Sequence, residues 1–275
     1  MIFNYVGYGY ARRGAPWGLV RELVAWRGAV MARRLVTVFH EVYAYGPPWR
    51  SSFWLSPVQR RLARQLSRAS DACVTSNELF AAILRRWVPA EKISTLPVFS
   101  NIGEPVTLPS WNERAARLVV FGTPGLRQRA YGRMRGELAS AIESLGIEEV
   151  LDLGAPVEVP SAVGGVTVRR GGYIGASDAS AWLASSRFGF VIYPPRLLGK
   201  SGVFAAYSAH GLCPIVGWPK GRGGSEPSAT WLRAGVPTGA QVAEEVAAAA
   251  AAEYRSHSLA RHADLYRRLL SPCAS

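Results

Sequence analysis

The stretch from Arg187 to Val216, RFGFVIYPPRLLGKSGVFAAYSAHGLCPIV, restricts the fold more than any other part of the chain. Residues 188–193 form a short apolar and aromatic run that ends at two prolines, which is typical of a buried strand. Ser201 is a favourable N-cap for a helix that ends near Gly211, and the apolar run from Cys213 predicts the next strand. This order of strand, loop, helix and strand predicts a parallel α/β sheet.

The loop between this strand and this helix carries residues that suit an anion. Lys200, Ser201 and Gly202 lie at the predicted helix N-terminus, where free backbone N–H groups and the positive end of the helix dipole favour phosphate. Parallel α/β sheets bind ligands at the carboxyl ends of their strands, which is where this loop lies. Only three of the 32 basic residues are lysine, so a lysine directly before a helix cap is notable. Together with the helix N-terminus, Lys200 predicts a site for phosphate or diphosphate. The simpler alternative is an ordinary connecting loop with a solvated lysine.

Composition excludes several classes of protein. With 49% hydrophobic and 19% charged residues in 275 positions, the chain is predicted to fold and to bury a large core. The three cysteines are far apart and lack metal-ligand spacing, so we expect free thiols, no metal site and no cofactor. No apolar run approaches the length of a membrane span, and the N-terminus lacks the pattern of a signal peptide. We therefore expect a cytoplasmic protein.

The net charge of +13 indicates an anionic partner without choosing among nucleic acid, lipid and phosphorylated substrates. One basic face lies on a helix predicted over residues 57–69 and capped by Ser56; its arginines are Arg60, Arg61, Arg64 and Arg68. Such a face could contact the headgroups of an anionic membrane at the inner surface of the cell, or it could simply be solvated. Nucleic acid is not expected, because no recognised motif with interleaved aromatic residues accompanies the charge.

Two successive series of strands and helices predict two α/β domains. Strands are predicted over residues 2–6, 35–39, 72–75, 92–98, 118–121, 150–153, 166–168, 188–193 and 213–216. Helices are predicted over residues 16–34, 57–69, about 126–145, 178–185, 202–210 and 238–270. The segment 104–114 has two prolines and little periodicity, which is typical of a linker. We expect a first domain over 1–110, a second over 111–236 and a C-terminal helical segment over 237–275.

Three further site candidates lie outside the segment 187–216. His40 follows the second predicted strand, where a side chain faces the ligand crevice of a parallel sheet; alternatively, its ring closes the loop by a hydrogen bond. Arg127 and Arg129 open a predicted helix, where arginine opposes the helix dipole unless an anion lies nearby. The alternative is that both arginines reach solvent.

The order of these motifs resembles that of the GT-B glycosyltransferases, and most closely that of bacterial family-4-type (group 1) enzymes. LVTVFHE resembles the strand that bears the first-domain histidine. DACVTSN resembles a later strand and the start of the helix that follows it, and PVFSNIGE resembles a turn. RLVVFGTPGLRQR, with Gly122 and Thr123, resembles the first strand and phosphate-side loop of the donor domain. LLGKSGVFAAYSAHGLCPIV resembles the helix that binds the donor.

The resemblance implies two Rossmann-like domains and transfer of a sugar from a nucleotide sugar to an unknown acceptor. It also implies that transfer is metal-independent and retains the anomeric configuration. Lys200 and the N–H groups of Ser201 and Gly202 would bind the diphosphate, with Arg127 or Arg129 beside them. By resemblance, His40 would reach the donor sugar from the opposite domain.

The chain departs from the family pattern in two places. Aligning the last glycine of the donor motif with Gly211 places Leu198 and Ala206 where the family has glutamates, so neither carboxylate is present. Family members also have a strand and about two βα units before the segment that resembles FNYVGYGY, so we expect a first domain that is incomplete at its N-terminus. An oligomer could cover the sheet edge that the missing strands would leave exposed. These departures motivate the alternative of a non-catalytic GT-B-like protein that binds a sugar nucleotide or a partner.

Overall fold

The computed structural model describes residues 1–44, 46–219 and 228–271. The chain forms two compact units, one made of Met1–Pro97 and the residues from His262 onward, the other of Val98–Arg261. Each unit contains a sheet built mainly of parallel strands, which confirms the predicted α/β class. Most of the predicted surface loop over 218–228, including Lys220, lies outside the described residues.

The first unit is built on four parallel strands that lie side by side in chain order. The strands are β1 (Ile2–Tyr5), β2 (Val36–Phe39), β3 (Ala72–Thr75) and β4 (Ile93–Thr95). The helices between them are α1 (Gly7–Tyr10), α2 (Trp17–Gly28), α3 (Ser51–Ala69) and α4 (Glu78–Leu84).

The second unit contains seven strands within the described residues, in the order β11-β10-β9-β5-β6-β8-β7. They are β5 (Ala115–Phe121), β6 (Glu149–Leu153), β7 (Ala162–Val163), β8 (Val166–Gly172), β9 (Ser186–Ile192), β10 (Cys213–Gly217) and β11 (Leu232–Arg233). The helices are α5 (Pro124–Tyr131), α6 (Arg135–Ser144), α7 (Ala176–Ala184), α8 (Gly202–Ala209) and α9 (Ala240–Tyr254). Only the short β7 pairs antiparallel among these strands.

The C-terminal helical segment does not form a unit of its own. Residues of α9 belong to the core of the second unit, where Ala243 and Val246 join the same apolar cluster as Ile215. A final helix, α10 (Leu259–Leu270), supplies apolar side chains to the first unit from His262 onward. The boundary near residue 97 lies earlier than the expected linker, because Val98 N–H donates to Gly199 O at 2.8 Å within the second unit.

Both faces of the first unit's sheet are covered, because β2 and β3 are buried at every position. On one face Tyr5 and Phe39 pack in a cluster with residues of α2 to α4. On the other face Val36 and Val74 pack against α10, through Leu265, Tyr266, Leu269 and Leu270. Without α10, the apolar side chains on this second face would be exposed to water.

Helix boundaries differ from the prediction in four places. α2, which was expected to reach residue 34, ends at Gly28. α3 begins at Ser51, before the expected cap Ser56, and its added first turn is held by Trp54 Nε1–H, which donates to Pro48 O at 2.9 Å. The helix expected to reach residue 145 ends at Tyr131, and a second helix, α6, begins at Arg135. The expected single C-terminal helix is broken between α9 and α10, where Leu259 N–H donates to Glu104 Oε1 at 2.7 Å. A carboxylate at that position stabilises a new helix N-terminus.

The predicted helix cap Ser201 is confirmed, and Asn77 caps α4 in the same way. The side chains of Asn77 and Ser201 each accept a hydrogen bond at 3.1 Å from the backbone N–H three residues on. Gly211 has φ +67° just after α8, the conformation that favours glycine there. Cys73 and Cys213 are buried free thiols, as expected, whereas Cys273 lies outside the described residues. No described helix is both long and apolar enough to cross a bilayer.

The ring of Tyr207 locks α8 onto the sheet of the second unit. The ring is completely buried and lies against the backbone of Gly189 in β9, where a Cβ would approach its atoms to 2.5 Å. The hydroxyl accepts a hydrogen bond from Phe121 N–H at 3.1 Å and reaches Val119 O at 3.0 Å. The same tyrosine therefore fixes α8 relative to the end of β5.

We expect Gly189→Ala to destabilise the chain by about 1–3 kcal/mol, because the added methyl group would displace the Tyr207 ring in a tightly packed interior. Thermal unfolding followed by circular dichroism measures this as a melting temperature several degrees lower. Gly136→Ala is the matched control, since an added Cβ there meets no atom within 4 Å. Equal melting temperatures for the two variants would contradict this packing.

Candidate functional site

A pocket of about 500 Å³ opens at the carboxyl ends of strands in the second unit. Its walls come from residues 121–124 after β5, 153–155 after β6 and 172–174 after β8. Successive strands lie to one side of β5 as far as β8, and then the chain crosses to β9 on the other side. Ligands bind parallel sheets where the strand order reverses in this way. The pocket is therefore the candidate functional site.

Two glycines bring the backbone to the floor of this pocket. Gly122 has φ +136° and Gly154 has φ +144°, and side chains rarely tolerate either conformation. A Cβ at Gly154 would lie 2.6 Å from Gly122 O, so the loops after β5 and β6 are in direct backbone contact. Gly122 and Thr123, predicted as the phosphate-side loop, both line the pocket.

Arg127 lies behind the pocket floor rather than in the pocket. Its guanidinium donates to both carboxylate oxygens of Asp152, at 3.0 and 2.5 Å, and to Ala155 O at 2.7 Å. The two charged side chains are only 2% and 3% exposed. The expectation that Arg127 contacts a diphosphate directly is therefore corrected: its donors are used to hold the loop that contains Gly154 and Ala155.

Arg129 differs from Arg127 although both open the same helix. It is exposed on α5, and its Nε–H donates to Gly125 O at 2.9 Å. It is absent from the described residues that line the pocket. The structure thus separates the two arginines that the sequence treated alike, since one is a buried positioning residue and the other reaches solvent.

The N-terminus of α8 adjoins the pocket. Val203 lines the wall, and Ser201 is buried because its side chain caps the helix. A Cβ at Gly202 would lie 3.5 Å from the side chain of Asn101, which lines the same wall. Lys200, which is half-buried, directly precedes the cap. The first residues of α8, Gly202 and Val203, thus lie beside the pocket, whereas the Ser201 N–H already donates to Leu198 O at 2.8 Å.

Sequence reasoning treated the segment 100–103 only as a turn, but Asn101 and Ile102 form one wall of the pocket. Tyr254 anchors this segment, because its hydroxyl accepts from Ser100 N–H at 2.8 Å and donates to Glu104 Oε1. Burial and the Glu104 carboxylate raise the pKa of Tyr254, so the hydroxyl keeps its proton at neutral pH. The signal that could have identified this wall was the likeness of PVFSNIGE to a family turn.

His40 lies in the first unit, directly after β2, which is the position that the sequence predicted. Its backbone N–H donates to Tyr5 O at 3.2 Å, and its ring Nε2 lies 3.0 Å from Asn4 Oδ1. The loop-closing hydrogen bond that was the alternative interpretation is therefore present. Within the described residues, no group of three His, Cys, Asp or Glu side chains is arranged to hold a metal ion.

No protein-family model and no curated protein sequence matches the chain. Solved structures do match it. TarM from S. aureus, in a mutant form with UDP and sugar ligands, has a TM-score of 0.54 at 10% identity, and the match covers 87% of this chain and 51% of TarM. HepE from Anabaena, in complex with UDP, has a TM-score of 0.56 at 13% identity, with 91% and 76% of the two chains covered.

TarM and HepE are GT-B glycosyltransferases. The chain has the GT-B fold. An α-glucosyltransferase in complex with UDP and DNA also matches, with a TM-score of 0.55 at 10% identity over 98% of this chain and 79% of that one. The chain spans about half the length of TarM. The fold expected from the sequence resemblance is thus confirmed, and in this GT-B chain the pocket lies in the second of the two units.

We expect Arg127→Met to destabilise the chain by about 3–5 kcal/mol, because it leaves the buried Asp152 carboxylate without its partner. Arg129→Met, on the exposed side of the same helix, is expected to change stability by less than about 0.5 kcal/mol. Chemical denaturation of the two variants measures the difference. Equal effects would contradict the positioning role of Arg127. The double variant Arg127→Met/Asp152→Leu should recover part of the loss, since neither charge then remains buried.

Proposed function

We propose that this protein is a glycosyltransferase that moves a sugar from a nucleotide diphosphate sugar to an acceptor. The observation that carries this proposal is the pocket of the second unit, which combines a glycine floor with the N-terminus of α8. Its volume of about 500 Å³ lies within the range of small-molecule sites. Retention of anomeric configuration and independence of a metal ion are part of the proposal on the strength of the sequence resemblance.

The chemistry of the leaving group fits the charges beside the pocket. When the bond between sugar and diphosphate breaks, negative charge accumulates on the diphosphate, and fixed cationic and N–H donors stabilise it. Lys200 and the N–H group of Gly202 would supply such donors at the start of α8, whereas the Ser201 N–H, which the sequence also assigned to the diphosphate, already donates to Leu198 O at 2.8 Å. We assign the diphosphate to this corner, beside Gly122 and Thr123.

The structural neighbours support uridine diphosphate as the first nucleotide to test. TarM, HepE and the α-glucosyltransferase were each solved in complex with UDP. The mostly apolar walls after β6 and β8, which include Leu153, Tyr173 and Ile174, would accommodate the nucleoside.

His40 is proposed to act on the donor sugar, as the resemblance implies. Leu198 and Ala206 occupy the positions of the two family glutamates, so no covalent glycosyl intermediate can form on a carboxylate at either position. Leu198 is also buried. Stabilisation of the departing diphosphate is therefore the main chemical contribution that we assign to the protein.

The alternative function is binding of a sugar nucleotide without transfer. It is favoured by the absence of those two glutamates. Incubation of the folded chain with UDP-sugars separates the two proposals, because a transferase releases UDP continuously in the presence of acceptor or water. Binding of UDP without any release from UDP-sugars would establish the alternative.

We expect UDP to raise the melting temperature of the chain without added metal ion. Ligand at about 100 times its dissociation constant stabilises a native protein by about 2.7 kcal/mol through mass action. Lys200→Ala should reduce both this shift and the rate of transfer, the latter by at least about 10-fold, because a positioned charge at the leaving group is lost.

The matched control is Arg196→Ala, which removes an exposed charge from the same loop. It should leave the UDP shift and the rate of transfer unchanged. A cooperative melt with no shift from any nucleoside diphosphate would contradict the proposed donor site. Equal losses in Lys200→Ala and Arg196→Ala would show that only general charge matters.

A further inference from the structure

The exposed face of α3 combines large aromatic rings with arginines. The helix buries Leu62, Ala63 and Leu66 against the core of the first unit, and the opposite face is open to solvent. We call this face, together with Trp49, which lies two residues before the helix, the α3 surface. It consists of Trp49, Phe53, Trp54, Arg60, Arg61, Arg64 and Arg68. All of these residues are exposed.

The aromatic rings lie together at the N-terminal end of the α3 surface. Trp49 is 83% exposed and Trp54 is 71% exposed, which is unusual for such large apolar side chains. Phe53 meets Trp54 edge to face, with ring centroids 5.3 Å apart. The indole N–H of Trp54 already donates to Pro48 O at 2.9 Å. The ring can therefore enter an apolar layer without leaving a buried donor unpaired.

The arginines follow the rings along the same face. Arg60, Arg61, Arg64 and Arg68 recur at helical spacing, and residues 46–70 contain no aspartate or glutamate. Among the described residues, no carboxylate forms an ion pair with Arg61, Arg64 or Arg68. Arg60 lies over the ring of Tyr43, with its guanidinium 5.9 Å from the ring centroid. The α3 surface thus carries positive charge that forms no ion pair with a carboxylate of the described residues.

We propose that the α3 surface docks the protein on an anionic lipid membrane. Tryptophan and phenylalanine partition to the boundary between headgroups and acyl chains, while arginines contact headgroup phosphates. Separation of three rings from a row of arginines matches the two layers of a membrane surface. Single-stranded nucleic acid is better bound where aromatic rings and cations alternate along a groove. The inference goes beyond the proposed function and does not depend on it.

The test is sedimentation of the full chain with vesicles of phosphatidylcholine alone or with about 30% phosphatidylglycerol. Binding is expected to the anionic vesicles, and it should weaken as salt shortens the range of the electrostatic attraction. Arg61→Gln/Arg64→Gln should lower the partition coefficient by at least about 10-fold, because each arginine near an anionic surface contributes about fivefold. Adding Trp49→Ala to this double variant should lower the partition coefficient further.

The matched control is Arg133→Gln/Arg135→Gln, which removes the same charge from exposed positions in the second unit. It should bind vesicles as the parent chain does. Glutamine is a good helix former, so melting curves should show that both double variants stay folded. Equal loss in both would attribute binding to total charge and overturn the proposal.

Two other results would also overturn it. One is the absence of binding to anionic vesicles by a folded parent chain. The other is binding of a single-stranded oligonucleotide that depends on Arg61 and Arg64 in a chain that does not bind vesicles, because the α3 surface would then be a nucleic-acid surface. UDP-dependent stabilisation of the same samples reports separately on the pocket, so failure of one proposal is distinguishable from failure of the other.

Discussion

The buried ion pair between Arg127 and Asp152 is the contact on which the candidate site depends most. It ties the start of α5 to the end of β6, and its third donor fixes Ala155 in the pocket wall. Such a pair is costly to bury and still more costly to break, so it stabilises one arrangement of the loops over others. Gly122 and Gly154 can then approach each other closely enough to form a floor of backbone. The two glycines allow the loops to approach closely because they lack side chains, and the ion pair keeps the loops in this arrangement.

Features that depend on neighbouring residues could be predicted from the sequence. The strand β9, the cap Ser201 and the glycine after α8 are set by short-range preferences, and the structure has all three. Helix ends that depend on distant contacts were missed. At the break before α10, Leu259 N–H donates to Glu104, which is 155 residues away. The early start of α3 was missed as well, although the hydrogen bond between Trp54 and Pro48 joins residues only six positions apart.

The same distinction applies to the site. Gly122 and Thr123 were proposed from the resemblance to a family loop, and the start of α8 from the local signature of a helix N-terminus. The direction of the Arg127 side chain was not, since it depends on a carboxylate on a neighbouring strand. The wall around Asn101 was also missed, because its anchor is Tyr254, 154 residues from Ser100. The two units therefore carry separate proposals: the pocket of the second unit for a nucleotide sugar, and the α3 surface of the first unit for an anionic membrane.

Hydrogen exchange of the full chain, measured by mass spectrometry with and without UDP, tests the central claim most directly. Ligand contacts slow exchange at the amides they protect. The account predicts slower exchange in peptides that cover 121–126, 153–155 and 201–204, which meet at the pocket. Unchanged exchange in all three peptides at saturating UDP, with protection elsewhere in the chain, would contradict it.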